Sequence, residues 1–261
     1  MTILDQLADY ARERCEQAKR KLPPEEARRR ALALPGADFA FEKALKKQDI
    51  AFICECKKAS PSKGLIAPDF PYLTIAKEYE AAGADCISVL TEPRWFLGSD
   101  GYLEQIARAV SIPCLRKDFT VDGYMIYEAR LLGASAVLLI CSILSGEQIR
   151  EYLEICDELG LSALVEAHDE REVQTALDAG ARMIGVNNRN LKDFTVDTGN
   201  SRRLRERIPS SVLFVSESGV KEGRDVQKLR EIGADVVLVG ETLMRAPDKK
   251  KKLAELKDGG L

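Results

Sequence analysis

The 261-residue sequence predicts an α/β protein, a (β/α)₈ TIM barrel with a helical N-terminal extension. From about residue 50, eight short apolar runs alternate with segments of helical patterning, which is typical of parallel βαβ units. A Gly-Ala dipeptide also recurs between helix and strand at positions 83, 133, 180 and 233. Recurrence in alternate units favours a closed, quasi-symmetric barrel over an open doubly wound sheet. The chain length agrees, because about 250 residues is usual for one such barrel.

The eight predicted strands are rich in Val, Ile, Leu and Ala, as strands that are buried on both faces require. No glycine fingerprint of a dinucleotide-binding sheet follows any of them. The strands are predicted at residues 50–56, 86–90, 112–115, 136–140, 161–165, 183–186, 212–215 and 236–239. Helical patterning lies between them, for example at residues 73–82, 124–132, 148–159 and 226–232.

The first 45 or so residues do not share this rhythm. Residues 3–21 place apolar side chains at helical spacing, and two prolines followed by two glutamates at 23–26 indicate the start of a second helix. Residues 1–261 are therefore assigned to one barrel domain, of which about 1–45 is the extension. The extension either caps one end of the barrel or covers a bound substrate, and the sequence leaves both interpretations open.

Composition excludes several classes of function. A formal charge of −3 gives no general attraction to nucleic acid or to an anionic membrane. The seven cysteines form no CxxC pair, which favours buried thiols in a reducing compartment, and the single histidine argues against a transition-metal site. The N-terminus lacks the apolar core of a signal peptide, and no apolar run approaches the length of a membrane span. We expect a cytoplasmic monomer or weak dimer that needs no metal or cofactor.

Charged or amide side chains stand at the carboxyl ends of most predicted strands, where barrels of this class carry their active sites. A lone charge at such a place is usually solvated, which is the ordinary alternative. Several charges on one converging rim would lose solvation without compensation unless they paired with each other or with a substrate. We therefore predict a cluster that transfers protons without a metal, formed by Glu55, Lys57, Lys117, Glu166, Asn187, Arg189 and Glu217.

Contact within this cluster should shift the pKa values of its members in opposite directions. A glutamate among apolar neighbours should retain a proton more easily than usual, because burial disfavours the charged form. A lysine between carboxylates should stay charged. Such an arrangement suits acid–base chemistry at neutral pH.

Glycines follow the seventh and eighth predicted strands, in Ser218-Gly219 and in Gly240-Glu241. Glycine lets backbone N–H groups approach an anion, and the loops after these two strands are the usual phosphate position in such barrels. The alternative is a pair of tight turns without a ligand. We predict a phosphorylated small-molecule substrate.

Three weaker features each have two interpretations. The loop at residues 60–64 is either a lid that closes over a ligand or an ordinary surface loop. Trp95 and Phe96 either line an aromatic pocket or cover the core. His168, two residues beyond Glu166, fits a helix-entry residue better than a catalyst.

The order and spacing of the strand-end motifs resemble the indole-3-glycerol phosphate synthase family over nearly the whole chain, including the extension. The motifs at the first, third and sixth strands are specific to that family, whereas the glycine loops are common to many phosphate-binding barrels. The motifs are ECKKASPS (55–62), LRKDF (115–119), LVE (164–166), VNNRNL (186–191), SESG (216–219) and LVGE (238–241).

The resemblance implies ring closure of 1-(2-carboxyphenylamino)-1-deoxyribulose 5-phosphate to indole-3-glycerol phosphate, with loss of carbon dioxide and water, in tryptophan synthesis. It implies that Lys117 is the general acid toward the ketone oxygen and that Glu166 transfers protons in the dehydration. Glu55 would help to place Lys117, and Glu217 would hold substrate hydroxyls or Lys57.

The same resemblance implies the contacts that hold the substrate. Lys57, Ser60, Asn187 and Arg189 would orient its carboxylate and hydroxyls. Apolar contacts to the aromatic ring would come from Pro61, Phe96, Phe119, Leu138 and Leu238. Contacts to the phosphate would come from Ser218, Gly219, Gly240 and Glu241, the last through its backbone N–H.

Three rival interpretations remain at this point. A class I aldolase-like lyase acting on a sugar phosphate would form a Schiff base at Lys117 or Lys57. A barrel of the phosphoribosyl anthranilate isomerase kind would need a cysteine and aspartate pair, for which Cys54 and Cys56 lack a suitable partner. A phosphate-ligand binder without activity would gain little from the opposed charges.

Overall fold

Eight parallel strands close into a barrel in the computed structural model, which describes residues 2–190 and 194–259. Each barrel strand pairs with its neighbours in chain order, and the last pairs with the first. Two further strands, β2 and β3, form a separate antiparallel hairpin. The strands are β1 (Ala51–Cys56), β2 (Ala59–Ser60), β3 (Gly64–Leu65), β4 (Cys86–Leu90), β5 (Cys114–Lys117), β6 (Ala136–Ile140), β7 (Ser162–Ala167), β8 (Met183–Asn187), β9 (Leu213–Glu217) and β10 (Val236–Val239).

Helices surround the barrel, so the predicted fold class is confirmed. The helices are α1 (Ile3–Lys21), α2 (Pro24–Leu32), α3 (Ala40–Leu45), α4 (Tyr72–Ala81), α5 (Asp100–Ala109), α6 (Tyr124–Leu131), α7 (Gly146–Leu159), α8 (Glu170–Asp178), α9 (Gly199–Arg205), α10 (Gly223–Glu231), α11 (Glu241–Arg245) and α12 (Lys249–Lys257). Within the described ranges, none of these helices combines the length and apolarity that a membrane crossing requires.

Alternation along each strand divides the apolar residues into two layers. Ile53 packs in a cluster that fills the barrel interior, together with inward residues of the other strands. Its neighbours Cys54 and Cys56 belong to a second cluster, between the strands and the surrounding helices. Successive strand residues face opposite sides, so the next inward positions after Ile53 are Glu55 and Lys57.

Several strands extend one to two residues beyond their predicted ends. The apolar pattern stopped at Leu115, Val165 and Val215, but the ladders run on to Lys117, Ala167 and Glu217. Backbone hydrogen bonding does not depend on side-chain polarity, so a strand continues through a charged residue when its neighbours remain paired. The strand-end charges are therefore held by the sheet itself rather than by loops.

The repeated Gly-Ala dipeptide has the predicted place and geometry. Each of its glycines follows a helix with positive φ, between 73° and 92° at the four positions. This left-handed conformation ends the helix and is readily adopted by glycine alone. The following alanines are all nearly excluded from solvent, because they lie beneath the turn where the next strand begins.

The extension covers both ends of the barrel. Helices α1 and α2 begin where the sequence predicts, with Pro23 as the N-terminal cap of α2. The six-residue helix α3 was not predicted; it places Phe41 and Leu45 in the interior cluster at the amino ends of the strands. The backbone N–H of Glu42 donates to Ser162 Oγ at the start of β7, 3.2 Å away.

Helix α1 lies over the carboxyl ends instead. The Tyr10 ring meets Trp95 edge to face at a centroid distance of 5.7 Å, in the loop after β4. Arg14 donates to both carboxylate oxygens of Asp118, at 3.0 and 2.7 Å, in the loop after β5. Leu7 shares the interior cluster with Phe119. The two interpretations of the extension thus apply to different helices. Helix α1 occupies the end where a substrate would enter, whereas α3 caps the opposite end.

Candidate active site

The predicted cluster forms at the carboxyl end of the barrel because four of its seven members stand two residues beyond an inward apolar residue. Glu55 follows Ile53, Lys117 follows Leu115, and Glu166 follows Leu164 in the same inward register. The side chains of Glu55, Glu166 and Glu217 are almost completely buried. Their charges therefore interact with one another more strongly than they would in water.

Lys117 lies between two carboxylates. Its Nζ is 3.4 Å from Glu217 Oε2 and 3.7 Å from Glu166 Oε2. Burial alone would lower the pKa of the Lys117 ammonium, but the nearby charges of Glu217, Glu166 and Glu55 outweigh it and raise that pKa. The lysine is therefore charged at neutral pH, as the sequence predicts for a lysine between carboxylates.

Lys57 has a different partner. Its Nζ donates to Glu55 Oε1 at 2.5 Å. Burial would raise the pKa of the Glu55 carboxyl, but Lys57 and Lys117 outweigh it, so the pKa is lowered. The closest ion pairs differ from the implied ones, Glu55 with Lys117 and Glu217 with Lys57: Glu55 holds Lys57, and Glu217 faces Lys117.

Glu217 is the carboxyl that retains a proton. Burial raises its pKa, Glu166 and Glu55 add to the rise, and Lys117 opposes it, which leaves the pKa at about 7. Its Oε1 atom is buried and finds no hydrogen-bond partner among the described residues. Three carboxylates share two lysines here, and Glu217, whose pKa is raised to about 7 by burial and by two neighbouring carboxylates, is partly protonated at neutral pH.

Two glycines make room for these carboxylates. A Cβ at Gly185 would overlap Glu217 Oε1, and a Cβ at Gly240 would overlap Glu55 Oε1 and lie 2.9 Å from Lys57 Nζ. The sequence indicated Gly240 only as a phosphate-loop residue, and Gly185 drew no attention because it lies within an apolar run. Neither has positive φ, so space rather than backbone conformation requires glycine here.

Apolar side chains line the mouth beside the charges. The rings of Phe96 and Phe119 are 6.1 Å apart and tilted by 42°. Phe119, Leu138 and Leu238 belong to the interior cluster, and Phe96 packs against it. Pro61 directly follows the hairpin strand β2 and is half-buried. The surface is suited to the flat face of an aromatic ring.

Glu92, which sequence reasoning missed, shapes this slot. It is fully buried, and its carboxylate accepts the backbone N–H groups of Arg94, Trp95 and Phe96 at 2.7–2.9 Å. A carboxylate that accepts several backbone donors fixes the course of a loop. The signal available in the sequence was a glutamate directly before the turn that carries both aromatic residues.

The segment at residues 60–64 is an ordered hairpin turn. Ser60 pairs with Gly64 across β2 and β3, and Ser60 itself is buried. The hairpin is tied to the neighbouring loop because the Ala59 N–H donates to the Phe96 carbonyl at 3.2 Å. Lys63 lies 3.8 Å from Glu241. The segment that the sequence left open as a lid or an ordinary surface loop therefore has a defined place between the loops after β4 and β10.

The loop after β9 has a left-handed backbone at two successive residues, of which the first is not glycine. Ser218 and Gly219 both have positive φ, 66° and 100°, and a Cβ at Gly219 would lie 2.7 Å from Thr198 Cγ2. The Ser218 hydroxyl donates to Asn187 Oδ1 at 2.9 Å, and Asn188 Nδ2 donates to the Ser218 carbonyl at 3.0 Å. Ser218 is thus a non-glycine residue in a sparsely populated backbone conformation, and such residues cluster at ligand-binding sites.

The second glycine loop joins the first. The Thr242 hydroxyl donates to the Val220 carbonyl at 2.6 Å, which ties the start of α11 to the end of the Ser218-Gly219 loop. Glu241 directs its carboxylate to Arg245 Nε at 3.0 Å. Its backbone N–H, rather than its side chain, is the group that the sequence assigns to phosphate.

A family model for indole-3-glycerol phosphate synthase matches residues 4–256. The chain belongs to this family. The indole-3-glycerol phosphate synthase of Ruminiclostridium cellulolyticum is 57% identical over 256 residues, which cover 98% of both chains. That of Endomicrobium trichonymphae is 52% identical over 257 residues, which cover 98% of this chain and 100% of the relative. The resemblance inferred from the motifs is confirmed.

Solved structures of other families share the fold. The 3-hexulose-6-phosphate synthase of Salmonella typhimurium has a TM-score of 0.65 at 16% identity and covers 81% of this chain and 98% of its own. At that level of identity the likeness supports the barrel architecture alone, since this architecture supports many chemistries.

Arg189 stands at the edge of the predicted cluster. It is half-buried, and its guanidinium donates to the Phe194 carbonyl at 3.2 Å. Asn187 Oδ1 accepts the Arg189 backbone N–H at 3.0 Å, so the asparagine orients this turn as well as Ser218. Leu191, the last residue of the family motif here, lies outside the described residues.

His168 lies closer to the chemistry than the sequence suggested. It precedes Asp169, the N-terminal cap of α8, and is thus a helix-entry residue as predicted. Its ring also reaches the cluster, because Nε2 is 3.4 Å from Glu166 Oε1. The sequence alone gave no indication of which way the ring turns.

A cleft of about 640 Å³ opens between α1 and the loops after β6, β7 and β8. Helix α1 contributes Leu4 and Asp5, and the loops contribute His168, Asn187 and Arg189. The extension therefore shares a cavity with residues of the predicted site. This is the position from which it would cover a bound substrate.

The cysteine thiols beside the barrel mouth and one acidic group with metal-like spacing both lie outside the predicted cluster. Burial raises the pKa of the Cys54 and Cys56 thiols, and both pack between strands and helices rather than in the mouth. Among the described residues, one group with metal-like spacing occurs, at Cys15, Glu16 and Asp122. Lys19 Nζ already lies 2.9 and 2.7 Å from these two carboxylates.

Proposed function

We propose that this chain catalyses the ring closure of 1-(2-carboxyphenylamino)-1-deoxyribulose 5-phosphate to indole-3-glycerol phosphate, with release of carbon dioxide and water. It is thus a carboxy-lyase of tryptophan biosynthesis. The observation that carries the proposal is Lys117, a largely buried and charged lysine held between Glu166 and Glu217 at the barrel mouth. The family to which the chain belongs supports it.

Lys117 is the general acid of the ring closure. The ring carbon that bears the carboxylate attacks the ketone carbon, and the ketone oxygen takes a proton from the Lys117 ammonium as negative charge develops on it. A proton donor is effective when it is charged before reaction and already near the acceptor. Its raised pKa supplies the charge, and the flanking carboxylates supply the position.

Loss of carbon dioxide then restores the aromatic ring. The bonding electrons of the departing carboxylate return to the ring carbon, which regains its aromatic system. An apolar slot beside Phe96, Phe119 and Leu138 favours this step because a carboxylate loses solvation there while its charge moves into the ring. Lys57, held by Glu55, orients the carboxylate before it leaves.

Glu166 transfers protons during the dehydration. The new hydroxyl leaves as water after protonation, while the ring system gives up a proton to form the indole double bond. Glu166 lies beside Lys117 with its Oε2 3.7 Å away, so a proton lost from one of them can be replaced through the other. Glu217, with its pKa of about 7, can both donate to and accept from substrate hydroxyls.

The phosphate is assigned to the two joined glycine loops. Ser218, Gly219, Gly240 and the backbone N–H of Glu241 lie in the loops after β9 and β10, which is the usual phosphate position of this fold. Ser60, Asn187 and Arg189 would hold hydroxyls and the anthranilate carboxylate. We place the enzyme in the cytoplasm as a monomer or weak dimer that acts without a metal or cofactor.

The direct test supplies the ribulose phosphate substrate and follows indole absorbance together with released carbon dioxide. Equal amounts of both products are expected, and activity should survive dialysis against a chelator. Lys117→Ala is the matched inactive variant, and Lys250→Ala, at an exposed position on α12, is the control. Absence of indole absorbance with the folded wild-type protein would contradict the proposal.

Borohydride distinguishes the Schiff-base alternative. A lysine that attacks a carbonyl must first lose its proton. The raised pKa of Lys117 opposes that, so borohydride added during turnover should leave no substrate bound to the protein. Mass spectrometry that found a covalent adduct at Lys117 or Lys57 would favour the aldolase-like lyase instead.

A further inference from the structure

The imidazole of His168 lies between two carboxylates, and only one of them belongs to the proposed machinery. His168 Nδ1 is 3.0 Å from Glu172 Oε2, on helix α8. His168 Nε2 is 3.4 Å from Glu166 Oε1, at the end of β7. Neither His168 nor Glu172 has a role in the reaction proposed above.

Glu172 is fixed by more than the histidine. Its Oε2 accepts the His168 backbone N–H at 2.8 Å, and its Oε1 accepts the Ser142 hydroxyl at 2.5 Å. Burial would raise the pKa of the Glu172 carboxyl, but the contacts with His168 and Ser142 outweigh it and lower that pKa. A charged, rigidly held carboxylate therefore sets the orientation of the ring.

The ring is poised to carry two protons. Burial would lower the pKa of His168, but Glu172, Glu166 and Glu217 outweigh it and raise that pKa. In this state Nδ1–H faces Glu172 and Nε2–H faces Glu166. Nε2 is buried and makes no hydrogen bond within the described part of the chain. Contacts of this kind are often long before substrate binds and shorten in the reactive complex.

Glu166 is shared between this pair and the general acid. Its Oε1 lies toward His168, whereas its Oε2 lies toward Lys117. We infer that His168, oriented by Glu172, is a positioning residue that holds the Glu166 carboxylate toward Lys117 and stabilises its negative charge between proton transfers. The inference rests on the proposed function, in which Glu166 moves protons.

The charged and titratable groups around the ring come from every element packed against it. Glu166 and Glu217 face it from the barrel, and Glu172 faces it from α8. The cleft that the ring lines also contains Asp5, Asp169, Arg189, Asp197 and Arg203. The groups nearest the ring are acidic, so a positive imidazole compensates a local excess of negative charge.

A purely structural role would act through the backbone. Asn200 Nδ2 donates to the His168 carbonyl at 3.1 Å, and the His168 N–H donates to Glu172. Both contacts persist when only the side chain is replaced. Variants of the side chain therefore test the ring and leave the helix entry intact.

The first experiment reads the histidine itself. Because His168 is the only histidine of the chain, its ring signals can be followed by NMR during a pH titration without assignment of others. We expect a titration midpoint above about 6.5, the usual histidine value. It should fall in Glu166→Gln and in Glu172→Gln, and stay unchanged in Glu170→Gln, whose exposed carboxylate pairs with Arg207. An unchanged midpoint in Glu166→Gln would overturn the inference.

The second experiment reads catalysis. Asparagine at position 168 can reach Glu172 but not Glu166, whereas the longer glutamine can place an amide N–H near the position of Nε2. We expect kcat to fall about 10- to 100-fold in His168→Asn, as when a residue that orients a catalytic group is lost, with KM nearly unchanged. His168→Gln should recover part of that loss.

The pH profile separates charge from shape. Loss of the imidazolium favours the protonated form of the adjacent carboxyl, so the acidic limb of kcat/KM should move to higher pH in both variants. A rise in KM with unchanged kcat, or equal loss in both variants with no movement of the limb, would assign the ring to folding or binding. If the wild type makes no indole product, the proposed function fails, while the NMR comparison still decides whether His168 and Glu166 interact.

Discussion

The two ends of the barrel interior are built on the same strands with opposite chemistry. At the amino end, α3 inserts Phe41 and Leu45 among inward apolar residues, and both are almost completely excluded from water. At the carboxyl end, the inward positions carry Glu55 and Glu217, which are almost as deeply buried, and Lys117, whose side chain is 14% exposed. Burial of apolar side chains stabilises the folded protein at the amino end, whereas burial of charges destabilises it at the carboxyl end.

The difference shows how the fold separates stability from reactivity. Buried apolar side chains contribute about 1.5 to 3 kcal/mol each, so the amino end can offset charges that are buried without full compensation. At the carboxyl end, three carboxylates compete for two lysines, which leaves Glu217 with a raised pKa. Side chains held with altered proton affinities are what general acid–base chemistry requires.

Lys117→Ala should produce the largest effect and confine it to activity. Removal of a proton donor lowers turnover about 10²- to 10⁴-fold. Binding of a product-like ligand should persist, because the phosphate loops and the apolar slot are untouched. Steady-state kinetics and calorimetric titration with indole-3-glycerol phosphate measure the two effects, and near-native turnover would refute the role of Lys117.

Phe41→Ala should do the reverse at the amino end. The phenylalanine ring is fully buried, and its loss should lower the free energy of unfolding by about 3 to 5 kcal/mol because a cavity remains. The carboxyl-end geometry lies at the far side of the interior, so kcat of the folded protein should stay close to wild type. Urea unfolding and kinetics at low temperature test this, and a large loss of kcat would show that the two ends are coupled.

Glu217→Gln tests the cost of the buried carboxyl. The folded-state pKa of Glu217, about 7, lies above the usual glutamate value of about 4.3. The contribution of this carboxyl to the free energy of unfolding is therefore fully present below about pH 4.3 and is lost as the pH rises through about 7. Glutamine cannot ionise, so the variant should gain on the order of 2 kcal/mol relative to wild type between about pH 5 and pH 8. Urea unfolding at both pH values measures the gain, and parallel curves would contradict the raised pKa.

The sequence was most informative about the regular parts of these two ends. Strands and the long helix α1 carry a periodic pattern, so their existence and order could be predicted. Helix α3 could not, because six residues with two buried apolar side chains form too short a pattern to distinguish from a loop. Several predicted strands ended one to two residues before the observed strands, because the prediction stopped at the first polar or charged residue. The polarity of these residues reflects chemistry at the barrel mouth rather than the end of backbone pairing.

Within the site, the members could be predicted but not their partners. The period of two places Glu55 and Lys57 on one face, and the fold brings Lys117, Glu166 and Glu217 to the same mouth. Which lysine meets which carboxylate depends on side-chain rotamers across strands that are distant in sequence. The ring orientation of His168 depends on Glu172 in the same way.

Gly240→Ala should give a smaller, mixed effect. The added methyl group would displace the Glu55 carboxylate from Lys57, and a misplaced charged pair should lower kcat/KM about 10-fold. Stability should fall by about 1 to 3 kcal/mol, as for other overpacked interiors. Gly36→Ala is the matched control, because nothing lies within 4 Å of its added methyl group. Equal behaviour of the two variants would show that the carboxylate has room to move.

Arg189→Ala should produce the smallest effect and sharpen the boundary of the reactive end. The guanidinium is half-buried and donates to a backbone carbonyl, and in the proposed function it would hold a substrate oxygen in the ground state and the transition state alike. Loss of such uniform binding raises KM and leaves kcat nearly unchanged. We expect a rise in KM of about 10-fold, equal to roughly 1.4 kcal/mol. Arg189→Lys keeps the charge but not the two-pronged geometry, so partial recovery would assign the contact to the anthranilate carboxylate. A fall in kcat comparable to that of Lys117→Ala would instead extend the proton-transfer group to this edge of the mouth.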